Sequence, residues 1–96
     1  MTNTTNSDRF DEMAKAWDIA PQHVARTHDV ANAIRRRIPL AGRSAIEIGA
    51  GTGLLSFALS NSLGSILATD PSQGMIDILA DKIRHSGAGN IQALRC

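Results

Sequence analysis

The stretch Ser44-Ala45-Ile46-Glu47-Ile48-Gly49-Ala50-Gly51-Thr52-Gly53 decides the fold of this 96-residue chain. Its first half predicts a short buried strand, and its second half predicts a glycine-rich turn. The apolar run over residues 54–59 that follows predicts a helix. Glycine lets the backbone approach a ligand closely, and a helix start presents unpaired N–H groups. The stretch therefore has the layout of a nucleotide-binding site.

The spacing of the glycines narrows the choice of nucleotide. The dinucleotide fingerprint has its third glycine three positions after the second, where this chain has Leu54, and the third glycine comes earlier, at Gly53. Glu47 lies two residues before the first glycine. Its carboxylate would repel a diphosphate and attract a ligand that carries an ammonium and a sulfonium group.

A second acidic residue, Asp70, ends the next predicted strand, residues 65–69. It follows Gly49 by 70 − 49 = 21 residues. An acid about 20 residues after the first glycine can accept hydrogen bonds from both ribose hydroxyls. The alternative is that Asp70 is a capping residue of the helix that begins near Ser72. If it binds ribose, we expect Asp70→Ala to abolish ligand binding and barely to change the free protein.

The pattern acid-x-Gly-x-Gly-x-Gly resembles motif I of the class I S-adenosylmethionine-dependent methyltransferases. Asp70-Pro71-Ser72-Gln73-Gly74-Met75 resembles the second-strand motif of the same family, in which an acid leads into a helix that bears a Met. More loosely, Phe10-Asp11-x-x-Ala14-x-x-Trp17-Asp18 resembles a segment that precedes the core of some small-molecule methyltransferases. In such enzymes this region can cover the cofactor or shape the acceptor pocket.

The resemblance implies a site for S-adenosyl-L-methionine, with the following cofactor-binding residues: Glu47, Gly49, Ala50, Gly51, Gly53, Asp70 and Met75. In this interpretation the glycines let the backbone approach the cofactor closely. Glu47 interacts with the methionine end of the cofactor, and Asp70 binds its ribose. Met75 is either an adenine contact or a core residue. The acceptor is expected to be a small molecule whose identity the sequence does not give, and no catalytic residue can be nominated. No metal site is expected, since His23 and His28 lack ligand spacing.

From Ser44 onward, strands and helices alternate, which predicts an α/β fold with a Rossmann-like parallel sheet. The predicted strands cover residues 44–48, 65–69 and 91–95, and the helices cover residues 52–62 and a segment between Ser72 and Gly87. The resemblance implies the strand order 3-2-1. We expect residues 1–7 to be disordered, residues 8–40 to form an N-terminal helical segment, and residues 41–96 to form the N-terminal half of a methyltransferase cofactor-binding domain. Two apolar stripes are predicted in the helical segment: Phe10, Met13, Ala14 and Trp17, then Val24, Ala31, Ile34 and Ile38.

The predicted strand order leaves the first strand at a sheet edge, because the remaining strands of the family would come after Cys96. We therefore expect an incomplete domain that is not catalytically competent alone and that can self-associate through this edge. Three interpretations remain open: a methyltransferase fragment, a non-catalytic truncated remnant or interaction module, and, less favoured, an NAD-type dinucleotide-binding half-domain.

Composition excludes several classes of partner. Ten Lys and Arg against nine Asp and Glu give a formal net charge of +1, so we expect no nucleic-acid partner. No apolar run approaches the roughly 18 residues of a membrane span, and the polar start lacks a signal region, so no membrane partner is expected. The single cysteine, Cys96, excludes a disulfide within the chain and favours a cytoplasmic location.

Overall fold

The computed structural model describes residues 6–96, with side chains described from residue 12 onward. Over this range the elements are α1 Asn6–Ile19, α2 Pro21–Arg37, β1 Ser44–Ile48, α3 Leu54–Leu59, β2 Ser65–Asp70, α4 Gln73–Ser86 and β3 Ile91–Arg95. Residues 6 and 7 belong to α1. The rest of the predicted disordered segment, residues 1–5, lies outside the described residues.

The three strands form one parallel sheet in the order β1-β2-β3, so the predicted α/β fold and the strand order 3-2-1 are confirmed. Ile48 at the end of β1 pairs with Thr69 of β2, and Asp70 pairs with Arg95 of β3. Because parallel strands end at the same edge of a sheet, the turn that follows β1 lies beside Asp70.

The core lies between the sheet and the helices. Its buried apolar residues come from α2, α3, α4, β2, β3 and the turn between α3 and β2: Ala31, Leu59, Leu63, Ile66, Ala68, Ile76, Leu79 and Ile91. Helix α4 packs against β2 and β3, and its residue Leu79 is fully buried. This packing fixes the orientation of α4, whose first turn borders the glycine turn.

The two N-terminal helices bury less apolar surface than their stripes predict. In α1 Ala14 is buried, whereas Met13 and Trp17 are exposed, and the side chain of Phe10 lies outside the described residues. In α2 Ala31 is buried, and Ile38, just after the helix, is exposed. The expectation of full stripes is wrong here because the main packing partners of α1 are α2 and α4 and not the sheet.

Helix α3 is shorter than the predicted helix over residues 52–62. Gly53 has a φ of +85°, and its N–H donates to the carbonyl of Ala50 at 2.9 Å. A right-handed helix cannot pass through a residue with this φ, so the helix begins at Leu54. It ends at Leu59, where a turn leads to Gly64. Between residues 6 and 96, no helix is both long enough and apolar enough to cross a bilayer.

Candidate functional site

The glycine turn between β1 and α3 has a backbone that requires glycine. Gly49, Gly51 and Gly53 have φ angles of +70°, +58° and +85°, which other residues adopt only with strain. A Cβ on Gly49 or Gly51 would meet no atom within 4 Å, whereas a Cβ on Gly53 would clash with the Leu79 side chain. The first two glycines therefore border open space, and the third lets the turn pack against α4.

Asp70 secures this turn from the neighbouring strand. Its Oδ2 accepts a hydrogen bond from the Gly51 N–H at 2.9 Å, and its Oδ1 accepts one from the Ser72 N–H at 2.9 Å. The residue is 9% exposed. The Ser72 hydroxyl accepts a hydrogen bond from the Met75 N–H at 3.2 Å, so Ser72 rather than Asp70 caps α4.

Further hydrogen bonds join the ends of β1 and β2. The Ala50 N–H donates to the carbonyl of Thr69 at 2.8 Å, and the Thr69 hydroxyl donates to the carbonyl of Glu47 at 2.9 Å. These two hydrogen bonds join the glycine turn and the end of β1 to the end of β2.

The space next to the turn is a cavity of about 300 Å³, which we call the turn groove. Its lining comes from α1, from the glycine turn and from the first turn of α4: Met13, Ala14, Trp17, Gly49, Ala50, Gly51, Thr52 and Met75. The volume lies at the lower end of the range for small-molecule sites, about 300–1,000 Å³. Four of the predicted site residues line this groove, namely Gly49, Ala50, Gly51 and Met75. Gly53 and Asp70 do not line it and instead support its wall.

Glu47 lies in an adjoining cavity of about 340 Å³, which we call the α2 groove. Its lining is Trp17, His23, Arg26, Thr27, Val30, Glu47, Ala50, Leu54 and Leu55. Trp17 and Ala50 line both grooves, so the two cavities meet at these residues. The Trp17 ring stacks on the His23 ring with 3.5 Å between centroids, and Glu47 Oε1 accepts a hydrogen bond from the Ser56 hydroxyl at 2.6 Å.

Four polar residues at or beside the two grooves were not predicted from the sequence: Asp18, Arg26, Ser56 and Lys82. Arg26 lies in α2 and Ser56 in α3, and neither occupies a position of the glycine motif or of the other two patterns. Asp18 belonged to the loosely matched N-terminal pattern but had no role assigned. Lys82 gave no signal, since it is 64 residues from Asp18, its hydrogen-bond partner.

One carboxyl group on the exposed side of α4, that of Asp81, has a shifted pKa. A hydrogen bond from Arg84 is the main cause that lowers the pKa of the Asp81 carboxyl below its ordinary value, and the nearby charges of His85, Arg84 and Lys15 add to it. Asp81 lines neither groove. Across the described part of the chain, no group of three or more His, Cys, Asp or Glu side chains is placed to hold a metal ion.

Comparison of sequences finds a curated relative. The chain is 31% identical over 74 residues to the cypemycin N-terminal methyltransferase of a Streptomyces species, and the match covers 76% of this chain. The chain spans 30% of the length of that relative. No protein-family model matches the chain.

Solved structures resemble the whole of the chain. A proposed S-adenosyl-L-methionine-dependent methyltransferase of Methanococcus maripaludis matches 100% of this chain and 45% of its own at 28% identity, with a TM-score of 0.72. Phosphoethanolamine N-methyltransferase 1 of Haemonchus contortus, in complex with phosphoethanolamine and S-adenosylhomocysteine, matches 100% of this chain and 22% of its own at 21% identity, with a TM-score of 0.61. At 21% identity, the similarity to the Haemonchus contortus enzyme shows the fold alone.

Proposed function

The chain belongs to the S-adenosylmethionine-dependent methyltransferase family and has part of its class I fold, and we propose that it binds S-adenosyl-L-methionine for methyl transfer to a small-molecule acceptor. One observation carries the proposal. Gly49 and Gly51 border the turn groove with open space where side chains would stand. Asp70 holds the Gly51 amide in place from the tip of the next strand.

The chemistry of the turn groove suits the adenosyl part of this cofactor. Met13, Trp17 and Met75 offer thioether and aromatic surface to a purine ring. Each oxygen of Asp70 accepts one backbone hydrogen bond. An ionised carboxylate has about four acceptor positions, so Asp70 retains the capacity to accept hydrogen bonds from ribose hydroxyls.

The chemistry of the α2 groove suits the methionine end. Glu47 and Arg26 line this cavity together, and they carry the charges that complement an ammonium and a carboxylate. Because the two grooves meet at Trp17 and Ala50, one elongated ligand can occupy both. This extends the role that sequence analysis gave to Glu47 and adds Arg26 to it.

The cofactor supplies a methyl group that its sulfonium already makes electrophilic. The residues of this chain bind and orient the ligand, and Trp17 of α1 lines both grooves. Holding two reactants in line can supply about 7–11 kcal/mol of the reduction in barrier. The proposed methyl acceptor of the whole protein is a small molecule.

The test of cofactor binding compares two glycine substitutions with equal backbone strain. Gly49 and Gly87 have φ angles of +70° and +71°, and a Cβ on either meets no atom within 4 Å. Gly49→Ala and Gly87→Ala should therefore lose similar stability in urea unfolding, about 1–2 kcal/mol each. Calorimetric titration with S-adenosylhomocysteine should show at least about tenfold weaker binding for Gly49→Ala alone. Equal affinities for the two variants would contradict the proposed site.

Thermal unfolding in the presence of S-adenosylhomocysteine or of NAD separates the competing interpretations. A millimolar concentration of a micromolar ligand stabilises the folded state by about 4 kcal/mol. Stabilisation by S-adenosylhomocysteine and not by NAD supports the proposal. Stabilisation by NAD alone would establish the dinucleotide-binding half-domain, and no stabilisation by either ligand would favour the non-catalytic remnant.

The role of Arg26 is tested with a ligand that lacks the methionine carboxylate. Arg26→Gln should weaken binding of S-adenosylhomocysteine about tenfold, because a charge-assisted hydrogen bond contributes about 1.5–3 kcal/mol. Binding of 5′-methylthioadenosine, which has no amino-acid end, should not change. Arg36→Gln, an exposed residue at the end of α2, is the matched control. Equal losses for both ligands would remove Arg26 from the methionine end.

We also infer that the free edge of β1 pairs with a second copy of this chain. In the described sheet β1 pairs with β2 on one side, and Ile46 and Ile48 are 67% and 87% exposed. An apolar edge strand of this kind is a template for pairing.

The cytoplasmic location remains a prediction from cysteine content.

A further inference from the structure

Three polar residues from distant parts of the chain meet beside the turn groove. Lys82 Nζ in α4 donates to Asp18 Oδ2 in α1 at 2.6 Å and to the carbonyl of Thr52 at 2.6 Å. The Thr52 hydroxyl donates to Asp18 Oδ1 at 2.7 Å. These contacts form a closed triangle, which we call the clasp, and it joins α1, the glycine turn and α4.

The clasp is partly shielded from solvent. The Lys82 and Asp18 side chains are 28% and 21% exposed, and Thr52 is buried. The ammonium of Lys82 also lies 5.1 Å from the centre of the Phe57 ring, a distance at which a cation is attracted to an aromatic face. Both oxygens of Asp18 are used, so the geometry is more closely defined than in an exposed ion pair.

We propose that Lys82 is a positioning residue that keeps α1 closed over the turn groove. Thr52 belongs to one wall of this groove, and α1 supplies Met13, Ala14 and Trp17 to the other. Among the α1 residues whose side chains are described, Ala14 is the one that is buried. Hydrophobic burial therefore holds α1 weakly. The clasp provides the directional contact that burial does not.

A groove that is already closed favours binding. A ligand that must first order α1 loses affinity in proportion to the fraction of molecules in which α1 is closed. Loss of the clasp should therefore lower ligand affinity without any change in the groups that touch the ligand. This consequence rests on the proposed function, whereas the closure of α1 does not.

Closure of α1 can be measured without a ligand, since Trp17 is the single tryptophan of the chain and lies in α1. Lys82→Met keeps the apolar stem and removes the ammonium. Lys15→Met, on the exposed side of α1, removes the same charge outside the clasp. Acrylamide quenching of Trp17 should rise about twofold in Lys82→Met, with faster proteolysis between α1 and α2, and stay at the parent value in Lys15→Met. Parent-like quenching in Lys82→Met with its circular dichroism unchanged would overturn the proposal.

The effect on the site is measured by titration with S-adenosylhomocysteine. Lys82→Met and Asp18→Asn should each weaken binding about tenfold, and the double variant should be little weaker than either, because the two residues act through one contact. Lys82→Arg should restore part of the affinity. Raised quenching with unchanged affinity would overturn the positioning role. If the parent chain binds no S-adenosylhomocysteine, the proposed function fails, and the quenching comparison still decides whether the clasp holds α1.

Discussion

Asp70 has a structural role, and the resemblance implies a ligand-binding role for the same residue. Its carboxylate accepts hydrogen bonds from the backbone of Gly51 and of Ser72, and it is nearly buried. An acceptor-only group suits this position because both neighbours are N–H donors. The residue type and its distance from Gly49 could be predicted from the sequence. The hydrogen bond to the turn could not, because it depends on how two strand ends meet.

This dual role changes the expected result of removing the Asp70 carboxylate. In Asp70→Asn one oxygen becomes an NH₂ group, which cannot accept from either N–H. We expect the free energy of unfolding to fall by about 1–3 kcal/mol, together with weaker binding of S-adenosylhomocysteine. The sequence alone predicts that Asp70→Ala barely changes the free protein, because it does not show the hydrogen bonds to Gly51 and Ser72.

The control for Asp70 is Asp77→Asn, an exposed residue of α4 whose carboxylate accepts from the Gln73 side chain. Urea unfolding should show little change for this variant. An Asp70→Asn protein as stable as Asp77→Asn would contradict the structural role of Asp70.

At the scale of elements, the sequence predicted type and order better than length. Strands β1 and β3 have the predicted bounds, and β2 is one residue longer. Helix α3 was predicted too long because glycine spacing does not reveal that Gly53 has a positive φ. The apolar stripes of α1 and α2 were predicted, but the exposure of Met13 and Trp17 was not, because periodicity shows which residues share a face and not what covers that face.

Helix α4 begins after a capping residue, Ser72, and the contribution of this cap to stability can be measured. Ser72 accepts the Met75 N–H, and Met75 lines the turn groove. We expect Ser72→Ala to destabilise the chain by about 1 kcal/mol, and Ser72→Thr, which keeps the hydroxyl, to lose less. Thermal or urea unfolding of the two variants checks this. Equal losses would mean that the hydroxyl does not stabilise α4.

At the scale of the whole molecule, the contacts that complete the site join residues far apart in the chain. Lys82 and Asp18 are 64 positions apart, and neither belongs to the glycine motif. Local periodicity and spacing predict elements and a motif, and a site assembled from α1, the turn and α4 requires their packing. The unpaired side of β1 was predictable, because the strand order followed from the resemblance.

The exposed edge of β1 leads to a prediction about association. Ile46 and Ile48 lie two residues apart and so share one face of the strand. Pairing of two β1 edges about a two-fold axis would join two three-stranded sheets. We expect light scattering after size exclusion to show a mass that rises with concentration. Ile46→Lys with Ile48→Lys should shift the chain toward the monomer, since edge lysines oppose pairing. Ile19→Lys, at an exposed position at the end of α1, adds charge elsewhere and should not. A monomeric parent chain at all concentrations would contradict this use of the edge.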